Sequence, residues 1–390
     1  MSVPTTRLPV HRINLPLVLC VVALVLLCLG FWPGVKGLQM FRGMRKFWLF
    51  GIVGFFLALQ VGKVNWSLGL LLAWMLVVGH YDVMSGRWPY AIGLEGIVWI
   101  ASFAALFLLG FWAKSWRCVA VVLAVIVVIN LDIASRQVAG IERVFPVIDV
   151  NYPIVGFMEN QPNLAHLIAI SLPLMGGIFA YLAAFGLVLI PLKSTVAYVA
   201  GAVGLSLWKP TVMIPLVLIA AVGMMITDPP MLPSYSEPLA ISPPRPKGAY
   251  FGWNMGDMQR PLVWKEAITM TAKGDGLQIG HGVGSFKRQF VRMALSKNIT
   301  PGEYWFHPQN ELVHLFYETG LLGVVFAVMA AVLTLIRAYR HKINSALIGA
   351  FAAVLISSLG YEAMTMPHLM AVGAMIWGLN EAAIWEKVNG

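Results

Sequence analysis

Long apolar stretches separated by short polar breaks recur along the chain, at about 14–32, 47–61, 66–80, 92–112, 117–132, 163–190, 195–227, 311–336, 344–360 and 367–385. An apolar run of roughly 18 residues or more is long enough to cross the hydrocarbon core of a bilayer as a helix. The pattern predicts an all-α fold: a polytopic integral membrane protein with about 10–12 transmembrane helices and one large periplasmic loop. It divides into N-terminal transmembrane helices over 1–132 and a central transmembrane region with an outer loop over 133–227. A periplasmic loop over 228–310 and C-terminal transmembrane helices over 311–390 follow.

Two polar segments interrupt this pattern. One, 133–162, carries Arg136, Arg143 and the stretch GFMENQPN. The other runs from Asp228 to Phe306 and opens with DPPMLPSYSEPLAISPPRPKG, whose prolines predict an extended start. A helix is expected around 259–273, then the glycine-dense turn region GDGLQIGHGVGSF. No internal repeat is visible. The basic loop RAYRHK, 337–342, is expected in the cytoplasm, which makes 311–336 run outside to inside and puts 228–310 on the outer face. Ten spans then place both termini inside, although the basic segment 34–46 lands outside in that count. Trp208-Lys209-Pro210 interrupts the long stretch 195–227, which reads either as two short spans or as one broken helix.

Composition sharpens the class. Of 390 residues, 59% are hydrophobic and only 11% charged, where a soluble domain carries about a quarter charged. Cys20, Cys28 and Cys118 all lie in apolar segments without metal-binding or disulfide spacing. The net charge of +10 fits cytoplasmic flanks and attraction to anionic lipid or substrate. The first apolar run is preceded by Arg7, His11 and Arg12 and ends without a small-x-small cleavage site, so it reads as an uncleaved first span.

Ionisable groups at membrane depth mark candidate chemistry. Lys209 is either an interfacial lysine that snorkels to the headgroups or a cation facing an anionic substrate inside the protein. Arg260 and Trp264 are four residues apart in MQRPLVWKEAITM and share a helix face. The arginine fork suits phosphate oxygens and the indole can stack on a sugar; an amphipathic surface helix is the alternative. The run from Gly280 to Phe286, followed by Lys287 and Arg288, resembles a phosphate-cradling loop but equally fits a tight turn needing positive φ. It follows no clear strand, which excludes a Rossmann or P-loop reading. In FHPQNELVHLFYETGLLG, Asn310 or Gln309 caps a helix and Glu311 sits in its first turn. Gly320 and Gly323 offer a close helix contact. His307, on a proline turn, titrates near neutrality and is able to take a proton from a hydroxyl. The chain contains no D-x-D pair, no G-x-x-x-x-G-K-[ST], no H-E-x-x-H and no G-x-S-x-G.

Four blocks, taken in order, resemble the O-antigen ligase and polymerase superfamily of bacterial envelope glycosyltransferases. GFMENQPNLAHLIAISLPL (156–174) is similar to its Gly-x-x-x-Asn-x-Asn-x-x-Ala outer loop. LSLWKPT (205–211) falls where that family often has a Ser-Arg pair, and QRPLVWKEAITM with IGHGVGSF matches an Arg-x-x-x-Trp helix and glycine-rich turn. HPQNELVHLFYETGLLG matches a signature in which His-Asn is followed, nine residues on, by Gly-x-x-Gly. Two positions depart: Gln309 stands where a histidine is common, and Trp208-Lys209 replaces Ser-Arg. The resemblance implies metal-independent, cofactor-free transfer of a glycan from undecaprenyl diphosphate to an acceptor on the periplasmic face of the bacterial inner membrane. The acceptor would be lipid A–core for a ligase, another lipid-linked glycan for a polymerase, or a protein. Arg260 and Lys209 would bind the diphosphate, with Lys287 and Arg288 as further candidates. His307 would activate the acceptor hydroxyl, Asn310 and Gln309 would orient sugar or histidine, and Trp264 is a further substrate-binding candidate. From the residues alone the rivals are a transporter or flippase for an anionic substrate, and a scaffold within a glycan-assembly complex. Membrane lipids are expected partners, nucleic acid is not.

Overall fold

In a computed structural model, residues 14–28, 66–84, 90–139, 161–189, 194–209, 255–273, 276–286, 290, 308–361, 364 and 366–389 are described. Every regular element among them is helical. The helices are α1 (Leu15–Cys28), α2 (Trp66–Met84), α3 (Tyr90–Ala113), α4 (Trp116–Val138), α5 (Gln161–Ser171), α6 (Gly177–Leu189), α7 (Thr195–Trp208), α8 (Met255–Thr271), the single turn α9 (Gly276–Ile279), α10 (Glu311–Arg340), α11 (Ser345–Gly360) and α12 (Pro367–Asn389). The helices expected from hydropathy are therefore present wherever the chain is described. The expected span 47–61 and the segments 140–160 and 210–254 lie outside the described residues.

Two expected spans are broken, each for a chemical reason. The 163–190 run divides at Leu172–Leu174, a turn of 3₁₀ helix, because Pro173 has no N–H to continue the helical ladder. The helix beginning at Thr195 stops at Trp208, where the Lys209 backbone leaves helical geometry ahead of Pro210. The starts are capped as their residue types dictate. Ser194 accepts from the Ala197 amide at the head of α7, and Asn344 from the Ala346 amide, 2.8 Å, at the head of α11.

Packing rests on small residues. Gly378 of α12 lies on the carbonyl of Phe107 and Gly110 of α3 on that of Met375, so no side chain separates the two backbones. Gly204 and Gly349 meet in the same way between α7 and α11. Small residues at these points let the helix axes approach closely. Trp377 fills the space beside the first pair, with its ring edge-on to Phe103 and Phe107.

Two helices, Trp116–Val138 and Glu311–Arg340, are long and apolar enough to cross a membrane. Each turns large apolar side chains outward: Val121 and Val125 on α4, and Leu321, Val325, Val328 and Val332 on α10. At the end of α10 that carries Arg337, Arg340 and Lys342, a buried network joins it to α12. Thr334 Oγ1 donates to Glu381 Oε1 at 2.6 Å, Arg337 donates to Glu381 Oε2 at 2.9 Å, and the Trp377 indole donates to Thr334 at 3.0 Å.

Candidate functional site

The opposite end of α10 begins at the His-Pro-Gln-Asn turn. Asn310 caps the helix: its Oδ1 accepts from the amides of Leu312, 3.0 Å, and Val313, 3.1 Å. Its Nδ2 is not spare, since it donates to the Leu359 carbonyl at 2.7 Å and ties the turn to the end of α11. Gln309 has φ +51°, the left-handed conformation that makes the bend. The Trp264 indole donates to the Pro308 carbonyl at 2.6 Å, which brings α8 against the turn. Arg260 lies on α8 one helical turn before Trp264. Glu311 Oε1 accepts from the Met364 amide at 2.7 Å, fixing the segment that leads into α12. His307, Lys287 and Arg288 lie outside the described residues.

About two and a half turns further along, α10 is broken. Gly320 has φ +68° and ψ −169°, a conformation essentially restricted to glycine. The break frees the carbonyls of residues that would have accepted from residues 321–323, and outside donors replace them. The His281 amide donates to the Tyr317 carbonyl at 2.8 Å, the Gly282 amide to Glu318 at 2.9 Å, and the Trp74 indole to Thr319 at 2.9 Å. This settles the glycine run. Gly280, Gly282 and Gly284 all have positive φ, as a tight turn requires. A Cβ on Gly280 would strike the Glu318–Thr319 peptide, and one on Gly320 the Gln278 carbonyl. The amides of His281, Gly282 and Phe286 are directed at α10, so the phosphate-cradle alternative gives way to a backbone lock on a broken helix. Gly323 lies beside Trp74 of α2, the kind of helix contact expected of it, while Gly320 serves a different purpose. Gly320 receives the loop backbone, and the space at Gly323 is taken by the Thr319 side chain.

Along the face between cap and break run three ionisable side chains. His314 Nε2 is 3.0 Å from Glu318 Oε1, and His314 Nδ1 is 4.0 Å from Glu311 Oε2. Glu318 Oε1 also accepts from the Phe286 amide at 3.2 Å. Glu318 is buried, and the side chains of His314 and Glu311 are only 12% and 17% exposed. Phe286 packs edge-on to His314, and the surrounding wall is Val263, Ala267, Phe290, Val313 and Tyr317 with Trp264. Among the described residues no group of three or more His, Cys, Asp or Glu side chains is placed to hold a metal ion.

A second buried cluster lies at the same end. His166 of α5 bonds Ser357 Oγ of α11 at 3.0 Å and Ser194 Oγ at 3.2 Å. Its ring stacks on Tyr361, whose hydroxyl donates to Asn163 Oδ1 at 2.6 Å. Sequence reasoning quoted the Asn163–His166 stretch but singled out neither residue, and it passed over His314. The signal for His314 is plain in retrospect: Glu311, His314 and Glu318 stand at i, i+3 and i+7, one face of a helix.

Lys209 is not brought to this site. Ser194, which opens α7, reaches His166 and so belongs to the Asn310 end, whereas Gly204 packs on Gly349 near the start of α11. The helix between carries Lys209 about 20 Å from Ser194 at 1.5 Å per residue, toward the basic end of α10. There it is exposed, with Nζ 5.4 Å from the centre of the Trp208 ring. That placement fits the interfacial-lysine reading and removes Lys209 from the candidate diphosphate site. Arg260, Trp264, Gln309 and Asn310 are brought to a common end of the molecule. The chain matches no protein-family model, and no curated protein matches it in sequence.

Proposed function

We propose that this chain is a polytopic membrane glycosyltransferase that moves a glycan from a polyprenyl diphosphate carrier to an acceptor hydroxyl, of O-antigen ligase type. The observation that carries the reading is the 2.6 Å bond from the Trp264 indole to the Pro308 carbonyl. It joins two motifs 44 residues apart, the Arg-x-x-x-Trp helix and the His-Pro-Gln-Asn turn, which resemble separate parts of one family signature. Arg260 supplies a planar cation for the diphosphate and for the charge that grows on it as the glycosidic bond breaks, a large term in catalysis of this kind. The turn supplies His307 for the acceptor and Gln309 for the sugar. Asn310 is occupied by capping and holds the turn in place rather than touching substrate. Exposed apolar rows on α4 and α10 support a lipid surround, and the basic end of α10 supports a cytoplasmic loop at 337–342. The site then faces the periplasm across the inner membrane.

A polymerase of the same superfamily would use the same parts with a second lipid-linked glycan as acceptor. A transporter reading draws on one specific observation, the broken helix at Gly320, because interrupted helices build substrate sites in transporters. The deciding experiment uses purified full-length protein in detergent with undecaprenyl-diphosphate-linked oligosaccharide and rough lipopolysaccharide, with chelator present. Glycan transfer and release of undecaprenyl diphosphate are followed together. Wild type is expected to transfer, and Arg260→Ala to lose about a hundredfold or more, the range one removed charge-stabilising contact costs. Binding of the lipid carrier without transfer to any acceptor would refute the enzyme reading and favour transport.

A further inference from the structure

We propose that the basic end of the bundle is a binding surface for anionic phospholipid headgroups. The inference rests on the membrane reading above and is independent of the transfer chemistry. Packing brings Lys114, Arg117, Lys209, Arg340, Lys342 and Lys387 to one level. Lys114 follows α3 and lies 3.7 Å from Glu386 of α12, about one and a half turns past the Glu381 that binds Arg337. Arg117 is in the first turn of α4, just after Lys114, and Arg340 is one turn beyond Arg337 on α10. Asn380 Nδ2 donates to the Leu347 carbonyl at 3.1 Å, and Gly204 packs on Gly349. The end of α7 beyond Gly204 therefore carries Lys209 to within about one turn of the Glu381 level.

Carboxylates do not neutralise this end. Glu381 is taken by Arg337 and Thr334, and Glu386 faces Lys114. Among the described residues no carboxylate pairs with Arg117, Lys209, Arg340, Lys342 or Lys387, and all of these are exposed. Two of them lie beside indoles instead. The Arg117 guanidinium is 5.8 Å from the centre of the Trp116 ring, and the Lys209 ammonium 5.4 Å from that of Trp208. An indole attracts a cation without cancelling its charge, so the donors stay available to phosphate oxygens. Tyr339, 80% exposed, stands in the same turn as Arg340. Aromatic rings level with cations suit the headgroup region, and clustered Lys and Arg beside apolar helix faces attract anionic lipid.

The backbone supplies an independent observation. Among the described residues the non-glycine positions with positive φ are Gln309 and two lysines of this surface, Lys114 at +58° and Lys342 at +49°. Each lysine ends a helix. Lys114 directly follows α3, and Lys342 closes α10, where its amide donates to the Tyr339 carbonyl and the Ile343 amide to the Ala338 carbonyl, both at 3.1 Å. That helix ending is normally made by glycine or asparagine. A cation in the last turn answers the helix dipole, which accounts for Arg337 and Arg340 without a lysine in the left-handed position after them. Conformational ease favours glycine at both places, so what lysine adds there is its charge. The closed turn also holds Lys342 next to Arg340.

The test gives full-length protein in neutral detergent an equimolar mixture of phosphatidylglycerol and phosphatidylcholine. Native mass spectrometry counts the lipids retained, and the thermal midpoint is read with each lipid alone. Wild type is expected to retain phosphatidylglycerol preferentially, with the preference shrinking as salt rises. Arg117→Gln, Lys209→Gln and Arg340→Gln combined are expected to weaken apparent affinity for phosphatidylglycerol about a hundredfold, at about fivefold per cation removed. Lys342→Gly is the sharper variant. It is expected to lower that affinity about fivefold while leaving the midpoint in phosphatidylcholine unchanged or raised, because glycine suits the left-handed position. A purely structural lysine would move the midpoint alone, and an unchanged lipid preference in Lys342→Gly overturns the proposal even if the triple variant fails to fold. Equal retention of both lipids by wild type overturns it as well. So does loss of the preference in Lys265→Gln with Lys273→Gln, exposed cations on the α8 side that are expected to leave it intact. Wild type that stays in solution without detergent and retains neither lipid instead overturns the membrane reading itself.

Discussion

The two ends of α10 each bury a carboxylate, and they treat it in opposite ways. At the basic end Glu381 meets a permanent cation: Arg337 takes one oxygen and Thr334 the other, with Trp377 behind Thr334. The helices around it are regular, and these partners are side chains of α10 and α12. At the other end Glu318 meets an imidazole and backbone amides, on a helix that breaks two residues later. A guanidinium does not exchange its proton in proteins, whereas an imidazole does. The first arrangement joins two helices through a permanent cation, and the second pairs the carboxylate with a ring able to gain or lose a proton.

The contrast yields predictions of graded size. Glu381→Ala leaves Arg337 beside a vacated partner and is expected to cost about 3–5 kcal/mol, read as a large fall in the thermal midpoint of the detergent-solubilised protein. Gly320→Ala forces a side chain into a glycine-only conformation, a cost of about 1–3 kcal/mol, with a clash against the Gln278 carbonyl besides. Its signature is loss of protection of the His281 and Gly282 amides in hydrogen exchange, with the Glu381 end unaffected. Asn310→Ala removes the cap and the tie to Leu359, and is expected to cost about 1 kcal/mol, measured as a small shift of the same midpoint. Trp264→Phe removes a single bond, worth about 0.5–1.5 kcal/mol. Its stability effect is the smallest, yet turnover should fall more than stability does, because the Arg260 helix is no longer fixed to the turn.

The sequence made most helices legible because hydropathy is a local property; α8 and α9 are the described helices that stand outside the apolar runs. The break at Trp208-Lys209-Pro210 was legible, whereas the one at Pro173 falls inside 163–190, which the sequence presents as a single span. Gly320 was ambiguous, since a glycine in an apolar helix equally serves packing, and its φ depends on a loop some forty residues earlier. The glycine run itself was read in two ways, and only its partners decided between a phosphate cradle and a lock. Lys209 was misplaced for a topological reason. Its position in the chain does not disclose which end of α7 lies beside Asn310. The spacing of His314 from Glu311 and Glu318 is visible in the sequence, but the same spacing equally fits a solvated helix face, and only burial distinguishes the two.

The most direct test removes each buried carboxylate conservatively and measures two quantities on both variants: kcat per folded molecule, and thermal midpoint. The account predicts that both variants lower the midpoint, because each breaks a buried pair, and that Glu318→Gln alone also loses most of its glycan transfer per folded molecule. Glu381→Gln is predicted to preserve kcat in the molecules that remain folded. If both variants lose stability and keep turnover alike, the two ends are equivalent locks and the kinked end of α10 is no catalytic site.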